Sequence, residues 1–172
     1  DQQGRQIYDY GDKPTGGIVR SFLGQSNPVS SQELNMMRYF ADVLSAKASA
    51  EVSFLKDFKF TTNIGIDIDN TRIQDYRNPF YGQYAENGGY LYIESSRSRA
   101  LNHTELLTWR KSFGLHNVDA LIGHDYYQRK WDYLNGSREM VYNPGIPELG
   151  NAIKNQRATS NANEYFTEGF LS

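Results

Sequence analysis

The chain has 172 residues, of which 22% are charged, and a formal net charge of -2, a balance that gives no reason to expect nucleic-acid binding or a polybasic membrane contact. The absence of cysteine excludes a disulfide framework and thiol chemistry. Mean hydropathy is -0.69 and there is no run of about 18 apolar residues, so no transmembrane helix is predicted; a membrane-crossing β-strand, which needs only about 9–11 alternating residues, is not excluded.

No signal peptide opens the chain, which begins in polar sequence at Asp1-Gln2-Gln3-Gly4 and stops abruptly at Phe170-Leu171-Ser172; a piece of a longer protein is expected. The first 30 residues, rich in Gly, Gln, Asp, Ser and Pro, read as a long loop. Ser30 followed by Glu33 fits a capping box, and Leu34, Met37, Phe40, Ala41 and Leu44 recur at helical spacing, which predicts a short helix over 31–44. Residues 1–43 thus form a loop-rich segment with a short helix.

From residue 46 the period changes to two. Ala46, Ala48, Ala50, Val52 and Phe54 alternate with Lys47, Ser49, Glu51 and Ser53, and then Phe58, Phe60, Ile64, Ile66 and Ile68 alternate with polar residues. Two even-numbered apolar rows share a face only across a loop of odd length. Leu55-Lys56-Asp57 supplies it, pairing Phe54 with Phe58 and Val52 with Phe60, with Asp57 expected in the left-handed conformation. Two environments fit such a hairpin. In a soluble sandwich the apolar face lies on a second sheet; in an outer-membrane barrel it lies on lipid, and the polar row faces a wet lumen.

A second long loop is predicted over 70–89, followed by a second hairpin with strands near 99–112 and 117–134, turned at Phe113-Gly114-Leu115-His116. On the return strand Val118, Ala120, Ile122 and Tyr126 alternate with polar residues, although Leu121 and His124 break the rule. Residues 44–134 thus hold two antiparallel hairpins. Residues 135–172 read as loop with the start of a further strand. Short turns alternating with loops of about twenty residues, far above the usual loop length, are the rhythm of a barrel with turns at one end and long loops at the other.

Several runs carry a family likeness. Leu55-Lys56-Asp57 with Phe58-Lys59-Phe60-Thr61-Thr62-Asn63-Ile64-Gly65, then Trp109-Arg110-Lys111-Ser112-Phe113-Gly114-Leu115-His116-Asn117-Val118-Asp119-Ala120-Leu121-Ile122-Gly123-His124, and Glu168-Gly169-Phe170-Leu171-Ser172, resemble SusC/RagA-type TonB-linked outer-membrane proteins from about residue 44 onward. The resemblance implies an all-β, antiparallel segment from the middle of a large barrel in the outer membrane of a Gram-negative bacterium. It further implies import of nutrients such as glycans or peptides with a SusD-like surface lipoprotein, powered through TonB, with no catalysis and no cofactor. This stretch lacks a plug and would not transport alone. Cut out of its barrel, it would expose two sheet edges and an apolar face, so self-association is expected. A soluble carbohydrate-binding β-module is the alternative.

Candidate sites are sparse. Asp67-Ile68-Asp69-Asn70-Thr71 matches the DxDxT signature of haloacid-dehalogenase-like phosphatases, but that chemistry needs the end of a buried parallel strand, and the preceding residues alternate polar and apolar. Tyr76, Arg77, Tyr81 and Tyr84 lie in the tyrosine-rich loop region, where rings stack on ligand faces and Arg reaches hydroxyls or carboxylates; they are the candidate ligand contacts, against the alternative that such rings pin the loop or form a barrel girdle. His103, His116 and His124 are too dispersed in the sequence to propose a metal site.

Overall fold

The computed structural model describes residue 4, residues 28–80 and residues 82–172. A seven-residue helix α1 (Pro28–Leu34) precedes five strands: β1 (Met36–Phe54), β2 (Phe58–Arg77), β3 (Tyr90–Phe113), β4 (His116–Val141) and β5 (Ala152–Leu171), with a short 3-10 turn at Leu149–Asn151 before β5. They form a single five-stranded antiparallel sheet in the order β1-β2-β3-β4-β5, each strand beside its sequence neighbours. The second layer that a soluble sandwich needs is not present among the described residues.

The chain divides into two compact units, and the short turns belong to one of them, built of residues 41–70, 96–133 and 161–172. Its first hairpin turns through Leu55-Lys56-Asp57 as the alternation requires, and the Phe54 and Phe58 rings stack across the turn with centroids 5.5 Å apart. The left-handed residues are Leu55 (φ 49) and Lys56 (φ 61), not Asp57. Asp57 serves the neighbouring strand instead. Its carbonyl accepts the Arg110 backbone N–H at 2.9 Å, and its carboxylate accepts from Lys111 Nζ at 2.6 Å. The second hairpin turns through Gly114 (φ 62) and Leu115, and Ser112 donates to Asn117 across it at 2.6 Å.

Cross-strand contacts fix which residues share a face. Phe58 meets Trp109, Glu105 meets His124, and His124 meets Glu168, so even positions of β2, β4 and β5 lie with odd positions of β3. The alternation along each strand puts Val52, Phe54, Ile64, Ile66, Val118 and Ile122 on that apolar face. All six are exposed, and nothing among the described residues covers them. The opposite face carries Thr104 paired with Asp125 and Arg110 with Asp119.

The other unit comprises residues 71–95 and 134–160 with the chain up to Phe40. It holds the small buried core of Tyr76, Leu91, Val141 and Ala152, flanked by Met36 and Leu149. The connection between β4 and β5 is tied down by Glu148, whose carboxylate accepts from Arg72 at 2.9 and 3.0 Å and from Gln74 at 2.9 Å. Asn151 donates to the Asn143 and Ile146 carbonyls and closes the same loop.

Several boundaries differ from the sequence reading. The helix begins at Pro28, whose ring fixes φ for a first helical position, and ends at Leu34, so residues 36–44 are strand. Residues 70–77 continue β2, and most of 135–172 is strand, as the last residues of β4 and the whole of β5. The ladder supplies the reason, because each added strand residue gains backbone hydrogen bonds from a neighbour already in place, and that outweighs weak local preference.

Candidate functional site: an aromatic groove on the polar face

Alternation sends Tyr127, Arg129, Trp131 and Tyr133 of β4 to the polar face, where cross-strand pairing sets Tyr127 beside Tyr165 of β5 with ring centroids 6.2 Å apart and planes inclined by 59°. Trp131 and Tyr133 form a second ring pair at 5.0 Å. Tyr127, Arg129, Trp131, Asn163 and Tyr165 together line an open groove of about 520 Å³, within the range of small-solute sites. Its rings are not spent on packing, since Trp131 is 36% and Tyr165 59% exposed. Arg129 donates from Nε to Ser98 Oγ at 3.1 Å. Sequence reading missed this group because its members are separated along two strands. The signal was present in the ring-bearing odd positions 127, 131 and 133 of β4.

The four candidate contacts read from the sequence do not form one surface. Tyr76 and Arg77 are consecutive in β2, so they point to opposite faces. Tyr76 is buried in the core of its unit, and burial pushes its phenol up to about 12. Arg77 forks onto the Asp75 carboxylate at 2.8 and 3.0 Å. Tyr84 stacks on Tyr90 with centroids 4.8 Å apart, and its carbonyl accepts the Gly89 N–H. Tyr81 lies outside the described residues.

Two of the three histidines, His103 and His124, share the Glu105 carboxylate on the apolar face, and His116 is not part of this group. His103 Nε2 lies 3.1 Å from Thr62 Oγ1 and 3.6 Å from Glu105, and His124 stands between Glu105 at 3.4 Å and Glu168 at 2.9 Å. Among the described residues no group of three or more His, Asp or Glu side chains is placed to hold a metal ion. The DxDxT run lies inside β2 in an antiparallel ladder, and Asp67 accepts from Ser45 Oγ at 2.6 Å; the parallel strand end that a phosphatase nucleophile requires is not its setting.

No family model matches the chain. Over 104 residues, 60% of its length, it is 29% identical to the TonB-dependent receptor P3 of Formosa agariphila, and it spans about a tenth of that relative. Its fold is similar to solved structures of the RagAB peptide transporter (TM-score 0.73) and of the RagAB peptide importer in the closed-closed (0.74) and open-open (0.63) states. Each of these matches has 18% identity and covers 80% of this chain and 16% of the other. The sheet leaves one apolar face exposed, its sequence is similar over 104 residues to a TonB-dependent receptor, and its fold is similar to a part of the RagAB structures.

Proposed function

We propose that this sheet is wall of a receptor that imports a nutrient, glycan or peptide, across the outer membrane. In the whole protein a SusD-like surface lipoprotein would present the solute, and TonB would supply the energy. The observation that carries this reading is the apolar row: Val52, Phe54, Ile64 and Ile66 are 57, 41, 42 and 41% exposed, far above what a water-soluble core permits. Lipid is the cover that suits them, which makes the opposite, polar face the lining of the lumen. Strands of 19 to 26 residues exceed the 9–11 or so needed to cross, so the turn-proximal stretches span the membrane and the remainder stands clear of it. The chain does not transport by itself, and with β1 and β5 as open edges it self-associates when isolated.

Of the candidate ligand contacts, Arg77 and Tyr84 are kept as such in this reading, whereas the burial of Tyr76 suits it to packing. The two tryptophans test which part of the sheet meets lipid. In vesicles containing lipids brominated along the acyl chain, Trp109, on the apolar face, is quenched and Trp131 is not. Equal quenching of both, or quenching of neither, overturns the barrel reading.

A further inference from the structure

We propose that the groove over Arg129 is a solute subsite that selects a carboxylate carried beside a flat, stackable face. This rests on the reading of the polar face as lumen lining. Two other basic groups on that face hold carboxylates, Lys59 with Glu51 at 2.6 Å and Arg110 with Asp119 at 3.2 Å. Arg129 has no carboxylate within ion-pair distance among the described residues. Its hydrogen bond runs from Nε to the neutral Ser98 hydroxyl, which leaves the parallel donors of the two Nη groups without a hydrogen-bond partner among the described residues, on a side chain that lines the groove.

Those donors match the two oxygens of a carboxylate, which they bind as a fork. Tyr127 and Trp131 stand two residues to either side of Arg129 on the same strand, hence about 7 Å away along the face, with Tyr165 across from Tyr127. Rings at that spacing cover a sugar ring or an aromatic side chain while its acid group reaches Arg129. The Asn163 amide adds a donor and an acceptor for a hydroxyl or a peptide group. A neutral solute would leave the guanidinium unused, and a bare anion would leave the rings unused. The shared chemistry is therefore an acid group beside a flat face, available from a uronate unit of a glycan or from the terminal carboxylate of a peptide ending in an aromatic residue.

The test uses the whole chain in detergent micelles. With two tryptophans in the sequence, Trp109→Phe leaves Trp131 as the only indole, and its emission reports the groove. Four probes are titrated: a glucuronate trisaccharide, its methyl ester, a tripeptide ending in tyrosine, and the C-terminal amide of that tripeptide. One acid or both saturate the signal, at least tenfold more tightly than the matching ester or amide, and whichever acid binds identifies the source. Arg129→Gln removes the preference while far-UV circular dichroism and the emission of the free protein stay unchanged; Arg129→Lys, which keeps charge without the fork, retains part of it. An ester or amide that binds as well as its acid, a preference that survives Arg129→Gln, or no response to any probe overturns the subsite. Lipid quenching of Trp131 separately overturns the lumen assignment on which it rests.

Discussion

His124 Nε2 lies 2.9 Å from Glu168 Oε1 and its Nδ1 3.4 Å from Glu105 Oε2, so the histidine that follows Val118, Ala120 and Ile122 on the apolar face is held between carboxylates of both neighbouring strands. On a face turned toward lipid, polar groups persist when they satisfy one another, and removing one member strands the rest. His124→Leu is therefore expected to lower the melting temperature of the sheet in detergent. Adding Glu168→Leu recovers part of the loss, because an unpartnered carboxylate goes with it. A double variant that melts no higher than the single one shows that the pair is incidental.

Leu55 and Lys56 both have positive φ in the first turn, a conformation that costs a side-chain-bearing residue about 1–2 kcal/mol. Lys56→Gly removes that cost without touching the stacked Phe54 and Phe58 rings, and its greater freedom in the unfolded chain offsets part of the gain. A net stabilisation of about 0.5–1 kcal/mol is expected by urea denaturation in micelles. A loss instead would show that the Lys56 side chain makes a stabilising contact of its own.

The same hairpin shows how far the sequence could be read. Strict alternation over 46–68 put Phe54 opposite Phe58 because one face had to be apolar at every second residue. Trp131 and Tyr165 escaped the same reasoning. Their importance lies in a cross-strand neighbourhood, and β5 mixes Tyr165 with Phe166 and Phe170 with Leu171, one apolar residue to each face, so it has no clean period. Residues 70–77 likewise contain too few apolar positions to show an alternation, and their strand is held by backbone bonds to β1 and β3. Met37, Phe40 and Leu44 mimicked a helical stripe by coincidence of spacing; all three are exposed on β1.

Gly89 has a φ of +91, and a Cβ there would stand 2.9 Å from the Arg77 carbonyl oxygen and 3.1 Å from Val141 Cγ2. The first contact is with backbone, which cannot swing aside. Gly89→Ala is expected to destabilise the unit that holds the buried core by more than about 1 kcal/mol, since a side chain at positive φ and a steric clash act together. Faster hydrogen exchange at the backbone amides of Met140 and Val141, which donate to Gly89 and Gly88, checks it. Unchanged exchange would mean that the loop gives way at little cost.

Tyr76 ties the buried core of that unit to pH. In the proposed barrel its 18-residue separation from Phe58, the first residue of β2, puts it beyond the membrane-crossing stretch, and burial raises its phenol from 10.0 to about 12. The folded state therefore favours the neutral phenol. Below pH 10 both folded and unfolded chains keep the proton and pH has no effect through this group; from about 10 to 12 the unfolded chain ionises first, and stability falls. Tyr76→Phe preserves the ring in the core and abolishes this component. Denaturation at pH 9 and pH 11.5 should show the parent losing more stability than Tyr76→Phe between the two, whereas Tyr76→Ala stays about 3 kcal/mol below Tyr76→Phe at either pH because it empties the core beside Leu91. Equal alkaline losses in parent and Tyr76→Phe would place the phenol in water.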